Sequence, residues 1–328
     1  MTDPPRYLLF GGELVPYADA NLHVLTTTLK YGVGVFEGLR AYWNEEHAEL
    51  YAFRLEDHFQ RLIDSLRLAS IDVPPDSSRF AADLIALIRA NEFRQSLHMR
   101  VQVFVNSPDG PPDASGPALV CMAAMPMNGY FAQSSLDLCV SSWTRISDRS
   151  MPPRIKAIAN YQNSRLAMLE AKTNGYTGTL LLTSDGHVSE GPGYNVFLVR
   201  DGRLVTPRVT DAILEGVTRD SVIKLAGANL GLTVEERSID RTELYLADEV
   251  FVCGSAAEVT AVSSIDRRVI GDGHPGPVTT SLQAEYRAAT HNTLDDDFGW
   301  VSPVYGEVAA DRSGEVSQGL GKLSDVRA

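Results

Sequence analysis

Residues 97–105 read LHMRVQVFV and alternate without a break. Leu97, Met99, Val101, Val103 and Val105 fall on one side, and His98, Arg100, Gln102 and Phe104 on the other. A period of two is that of a strand, not a helix. A strand with one apolar side needs a sheet with one covered face, so something must lie on it. Two amphipathic segments can do so. FRLEDHFQRLIDSLRLAS, residues 53–70, carries Leu55, Phe59, Leu62 and Leu66 in one helical stripe. Ser78 to Phe93 repeats the pattern with Phe80, Leu84, Leu87 and Ile88. Around them stand a hairpin signal, YLLF-GG-ELV at Gly11 and Gly12, an extended run from Val35 to Trp43, and a further strand, ALVCMAAM. Strands, then helices, then strands predict an α+β layer rather than repeated βαβ units.

Met125 to Ser135, MPMNGYFAQSS, reads as a linker. Beyond it come a strand, LDLCVSSW, and a helix from about Tyr161 to Asn174 that Gly175 ends. TGTLLLTSDGHVSE and NVFLVRDGRLVTP predict hairpins that turn at Asp185-Gly186 and Asp201-Gly202. Thr218 opens a helix to Leu230 before Gly231; strands follow near Val234 and Phe251, then a helix from Val278 to Thr290. A length of 328 residues suits two domains. The expected division is a small N-terminal domain over 1–125, a linker over 126–135, a larger domain over 136–305 and a polar, aperiodic tail over 306–328.

The bulk composition narrows the partners. The chain is 44% hydrophobic and 22% charged, with no apolar run long enough for a membrane helix. Its start, MTDPPRYLLFGG, lacks the basic stretch and long apolar core of a secretion signal, so cytoplasm is the expected location. A formal charge of -13 repels nucleic acid. Cys121, Cys139 and Cys253 sit far apart in apolar runs, which predicts buried, reduced thiols and no metal site.

Several positions have the chemistry for a site, each with an ordinary alternative. Arg54, His58 and Arg61 share one helix stripe, either as a solvated basic face or as an anion site with an arginine fork. His98 and Arg100 line either a polar cavity or the wet side of a sheet. Gly216-Val217-Thr218 begins a helix, whose free N–H groups and dipole favour a phosphate, although most helix starts bind nothing. GSAAEV, from Gly254, is either a turn that lets backbone approach a ligand or a helix cap at Ser255. Glu190, in SEGPGYN, is a surface-turn acid or the partner of a protonated ring nitrogen. Lys156 stands between Ile155 and Ala157. Apolar surroundings disfavour a charged ammonium, as a Schiff-base lysine requires, yet lysines also snorkel past apolar neighbours.

In their order these stretches resemble the class IV aminotransferases, fold type IV pyridoxal-phosphate enzymes, and most nearly the branched-chain amino acid aminotransferases. The resemblance runs from Tyr7 to Trp300 and rests on YGVGVFEGLR from Tyr31, HFQRL around Arg61, KAIANY from Lys156, SEGPGYNVF from Ser189, EGVTRD from Glu215, LADEVFVCGSAAEV from Leu246 and GPVT from Gly276. It implies a D-amino acid aminotransferase-like fold with a smaller α/β domain and a larger, barrel-like mixed one. It also implies pyridoxal 5′-phosphate carried by Lys156, with its phosphate on Arg61, Val217, Thr218 and Ser255, its ring nitrogen on Glu190 and its ring hydroxyl on Tyr161. Tyr31, Phe36, His98, Arg100, Tyr130 and the turn Ser255-Ala256-Ala257 would face the substrate. The activity implied is transfer of an amino group from branched-chain L-amino acids to 2-oxoglutarate by a ping-pong route, in a homodimer or larger assembly.

The sequence also departs from that pattern. His98 stands where close bacterial branched-chain enzymes usually carry tyrosine, Ser255 where threonine is frequent, Tyr194 where glutamate is frequent, and Met127 where a tryptophan is expected. Nearby Arg100 would keep His98 neutral by like-charge repulsion. The changes touch the substrate side. They leave two alternatives within the fold: activity on (R)-amines or D-amino acids, and a lyase of the aminodeoxychorismate type. A non-catalytic protein of the same fold would be expected to lack Lys156.

Overall fold

A computed structural model describes residues 4–127, 129, 131, 133–294 and 298–306. In chain order the strands are β1 (Tyr7–Phe10), β2 (Glu13–Pro16), β3 (Gly34–Asn44), β4 (Glu49–Phe53), β5 (Leu97–Val105), β6 (Ala118–Pro126), β7 (Ser135–Thr144), β8 (Gly178–Leu182), β9 (Asn195–Arg200), β10 (Arg203–Thr206), β11 (Val234–Glu236), β12 (Glu249–Gly254), β13 (Glu258–Ile265), β14 (Arg268–Val269) and β15 (Val301–Pro303). The helices are α1 (Thr27–Tyr31), α2 (Leu55–Leu68), α3 (Phe80–Ala90), α4 (Tyr161–Thr173), α5 (Val217–Ala228) and α6 (Pro277–Thr290).

The strands form two sheets. The first runs β15-β4-β3-β5-β6-β1-β2; the second runs β11-β10-β9-β12-β13-β7-β8, with β14 beside β13. The chain leaves the first sheet at Pro126 and enters the second at Ser135. β15 lies within the span proposed for the larger domain, yet it pairs with β4 of the first sheet. Gly306 apart, the expected tail lies outside the described residues, as does Tyr130 of the linker.

The alternation of β5 works as its pattern requires. Leu97, Met99, Val101, Val103 and Val105 are completely buried in one core with Leu62 and Leu66 of α2 and Leu84, Leu87 and Ile88 of α3. Each such aliphatic side chain contributes roughly 1.5–3 kcal/mol by leaving water. His98, Arg100 and Gln102, on the other side, are only partly buried, while Phe104 on that side is buried. Gly11 and Gly12 turn β1 into β2 at φ 62° and 88°, and Asp201 and Gly202 turn β9 into β10 at φ 51° and 73°.

The first Asp-Gly turn returns along β8 as an irregular hairpin: Thr183 N–H donates to the His187 carbonyl at 2.8 Å, Leu182 bridges Val188, and Leu181 exchanges hydrogen bonds with Ser189 and Glu190 at 3.0 and 2.9 Å, which ties Glu190 to the strand. Other expectations need correction. Ser255 does not cap a helix; Ser255–Ala257 is the tip between antiparallel β12 and β13, where Gly254 faces Glu258. The cap of α5 is Gly216, and Thr218 is its second helical residue. Cys139 and Cys253 are buried, but Cys121 only partly; all three are free. No helix among the described residues is long and apolar enough to cross a membrane.

Candidate active site

The segment around Lys156 connects the two sheets. Phe36 N–H donates to the Lys156 carbonyl at 3.0 Å and Ile158 N–H to the Gly34 carbonyl at 2.9 Å, so residues 156–158 run as a short extra strand along β3. Lys156 N–H donates to Ser65 Oγ of α2 at 3.2 Å. With its backbone held on two sides, the lysine side chain projects from a fixed base. Its Nζ donates to Tyr161 Oη, at the start of α4, at 3.0 Å. The Tyr161 ring meets Phe36 edge-on, with centroids 4.7 Å apart.

Lys156 opens into a cavity that Arg61, Arg145, Tyr161, Glu190, Val217, Thr218 and Ser255 also line. Glu190 is 4% exposed. Its Oε1 pairs with Arg145 Nη2 at 2.6 Å, and its Oε2 accepts from Asn195 Nδ2 at 2.9 Å and from Leu214 N–H at 3.0 Å. Burial pushes this carboxyl up, while Arg145, the Leu214 N–H and Lys156 pull it down. A carboxylate has about four acceptor positions; one is left on Oε1 for a donor in the cavity.

Arg61 is set from beneath. Glu37, completely buried, takes Arg61 Nε at 2.7 Å and Nη2 at 2.8 Å, and the Glu215 carbonyl takes Nη1 at 2.7 Å. His58 Nδ1 lies 2.8 Å from the same carboxylate. Burial alone would raise the pKa of Glu37, but Arg61 and His58 override it and hold the carboxyl far below the ordinary range. Of the five N–H groups on a guanidinium, Arg61 commits three, so two remain for an anion. Across from it the first N–H groups of α5 are unpaired by the geometry of a helix start. A side chain at Gly216 would put its Cβ 2.1 Å from Asn195 Oδ1, so only glycine lets that helix start approach the residue that holds Glu190.

The basic stripe of α2 is therefore not a solvated face: Arg54 and His58 are 5% and 2% exposed. Tyr194 lies beneath the cavity, donating to the Thr179 carbonyl at 3.0 Å and accepting from its N–H at 3.1 Å. A Cβ on Gly191 would fall 1.9 Å from the Tyr194 ring, which ties that glycine to this tyrosine.

Phe36, His98 and Arg100, on the polar side of the first sheet, do not line this cavity; they lie beyond Lys156, whose Nζ is 5.1 Å from the Phe36 ring centroid. Antiparallel pairing sets Gly38 against Arg100 and Arg40 against His98. The Arg100 guanidinium lies 3.3 Å from the Phe36 ring centroid, and it reaches Gln102 Oε1 at 3.5 Å. His98 is held at about 4 by burial first, then by Arg40, and only then by Arg100 and Lys156, so the neutrality expected from Arg100 has a larger source. Tyr31 ends α1 at 49% exposure and does not line the cavity within this chain.

Three residues in these contacts were not singled out from sequence. Glu37 left a signal: it interrupts the inward series Val35, Leu39, Ala41 with a charge. Arg145 and Asn195 left none, because their contact with Glu190 depends on how distant segments meet.

The model of the amino-transferase class IV family matches residues 34–265. The branched-chain-amino-acid aminotransferase of Salmonella typhimurium is 38% identical, covering 92% of this chain and 99% of its own length. The branched-chain aminotransferase of Thermoproteus uzoniensis, solved with norvaline, superposes with a TM-score of 0.88 at 40% identity, over 92% of this chain and all of that one. The branched-chain enzyme of Thermobaculum terrenum in its pyridoxal-phosphate form gives 0.86 at 41% identity, over 92% and 99%.

Proposed function

The chain belongs to the class IV aminotransferases, which use pyridoxal phosphate, and we propose that it transfers the amino group of branched-chain L-amino acids to 2-oxoglutarate. The observation that carries the assignment of roles is one cavity lined by Lys156, in contact with Tyr161, and by Glu190, Arg61 and the start of α5. The residues fit the cofactor. Two spare N–H groups on Arg61, the N–H groups of Val217 and Thr218 and the Ser255 turn suit its phosphate. The open position on Glu190 suits a protonated ring nitrogen.

When bound, the cofactor supplies an electron sink for the pair left at Cα. Lys156 holds it covalently, then takes the proton from the substrate Cα as base and returns it as acid. Tyr161, in contact with Nζ, orients the lysine for both transfers. Arg145 and Asn195 keep Glu190 aimed, and Glu190 keeps the sink deep by holding the ring nitrogen protonated. Phe36, Arg100, His98, Tyr31, Tyr130 and Ser255-Ala256-Ala257 are proposed to face the substrate. The donor's keto acid leaves before 2-oxoglutarate enters, which gives ping-pong kinetics. A homodimer or larger assembly belongs to the same reading; light scattering of the holoenzyme checks it.

The test is a stopped-flow panel of half-reactions with L-amino acids, D-amino acids and (R)-amines. L-leucine, L-isoleucine and L-valine should react fastest, and 2-oxoglutarate should restore the starting spectrum. Faster reaction with D-amino acids would overturn the substrate reading, and pyruvate release from aminodeoxychorismate would mark a lyase. His98 favours one second reading, slow acceptance of (R)-amines: a neutral imidazole is shorter than a phenol and donates from one nitrogen only.

A further inference from the structure

Arg54 lies outside the cavity lining, yet more ties meet there than its position explains. It is the residue just before α2, in the left-handed region at φ 52° and ψ 47°, a conformation that favours glycine over arginine. Its side chain is 4% exposed. Nε donates to Asp57 Oδ2 of α2 at 2.8 Å. Nη1 reaches α5, donating to Asp220 Oδ2 at 2.6 Å and Ser221 Oγ at 2.9 Å, with the Val217 carbonyl at 3.3 Å. Its backbone N–H donates to the Trp300 carbonyl, and the guanidinium sits 4.9 Å from the Trp300 ring centroid.

The two helices so joined pack on different sheets. α2 carries Arg61 and belongs to the core of the first sheet; α5 begins with Val217 and Thr218 and packs with the second. The phosphate-facing groups thus come from separate bodies, and Arg54 sets their spacing. It also neutralises two acids in the first turns of these helices, Asp57 and Asp220, the latter shared with Lys224 Nζ at 2.8 Å. Unpaired, those carboxylates would repel a phosphate bound nearby.

We propose that Arg54 is a positioning residue for the cofactor's phosphate, holding the start of α5 at a fixed distance from Arg61 and cancelling the acids beside it. This rests on the reading that Arg61, Val217 and Thr218 take that phosphate. The probe is a pair of ligands that differ only there: pyridoxal 5′-phosphate and pyridoxal, each titrated into cofactor-free protein by absorbance. In Arg54→Met, affinity for pyridoxal phosphate should fall about tenfold or more, the scale of one charged hydrogen bond, with pyridoxal within about twofold of wild type by the same scale. Arg54→Lys keeps the charge but not the fork, and should show the same selective loss at smaller size; it carries the test if Arg54→Met does not fold. An equal loss for both ligands, or no loss for either, would overturn the proposal. Wild-type protein that binds the two ligands equally would instead sink the phosphate assignment itself.

Discussion

Glu190 has neighbours at 2.6, 2.9 and 3.0 Å, and Arg61 commits three N–H groups at 2.7–2.8 Å, whereas on the polar side of the first sheet Arg100 rests on a phenyl ring and meets Gln102 at 3.5 Å. The first wall draws on elements from both sheets; the second is the side of one sheet, where the His98 ring lies over Gly38, so that a Cβ there would stand 3.2 Å from His98 Nε2. A wall whose charged groups are each held at more than one point keeps its geometry whatever enters. A wall that rests on ring contacts and a long hydrogen bond can be altered one residue at a time. The tight wall suits the part of the chemistry common to all donors, and the looser wall suits the choice among them.

The contrast is broken most severely at the lysine. Lys156→Ala should abolish steady-state transamination, because the covalent anchor and the proton carrier are lost together. Borohydride reduction of the native holoenzyme followed by peptide mapping should label Lys156; label on a different lysine would break the assignment of the tight wall. The next largest effect is expected at Glu190. Glu190→Gln should slow the single-turnover rate by about 100-fold, the scale of one lost electrostatic stabiliser, while cofactor affinity changes far less because Arg61 and α5 are untouched. Equal single-turnover rates in mutant and wild type would remove Glu190 from the chemistry.

The smallest effect tests the loose wall. His98→Tyr should shift the ratio of kcat/KM for L-leucine over (R)-1-phenylethylamine toward the amino acid by about 1 kcal/mol or more, the scale of one hydrogen bond to a charged group. An unchanged ratio would mean that His98 does not govern the carboxylate side. The same variant has a signature in stability. Folding lowers the His98 pKa to about 4 from its ordinary 6.5, so the unfolded chain binds the proton more readily. That contribution is fully present above about pH 6.5 and is lost as pH falls toward about 4. Denaturant unfolding should show wild type losing more stability than His98→Tyr across that window.

What the sequence disclosed follows the range of each interaction. β5 and the stripe of α2 were legible because their periodicity is local and one face of each packs on apolar neighbours. β4 was missed because Glu49–Phe53 is buried on both faces and shows no alternation. The turn Ser255–Ala257 was ambiguous because small residues serve a hairpin tip as well as a helix cap, and only pairing of β12 with β13 decides it. The family motifs marked Lys156, Glu190 and Arg61 by type and order. What holds them (Glu37 under Arg61, Arg145 against Glu190) spans 24 and 45 residues of chain. A single sequence does not state such pairings; the burial of a charge at Glu37 was the one visible trace.

The pairing of β15 with β4 has a consequence for the order of synthesis. Val301 meets Phe53 and Pro303 meets Tyr51, across some 250 residues of chain. As the polypeptide leaves the ribosome from its N-terminus, the edge of β4 has no neighbour until every strand of the second sheet has been made. An unpaired, apolar edge is a template for another chain. Nascent copies on one message therefore carry a shared vulnerability that ends only when residues 301–303 emerge, and chains cut short before that point should be the ones that chaperones retain.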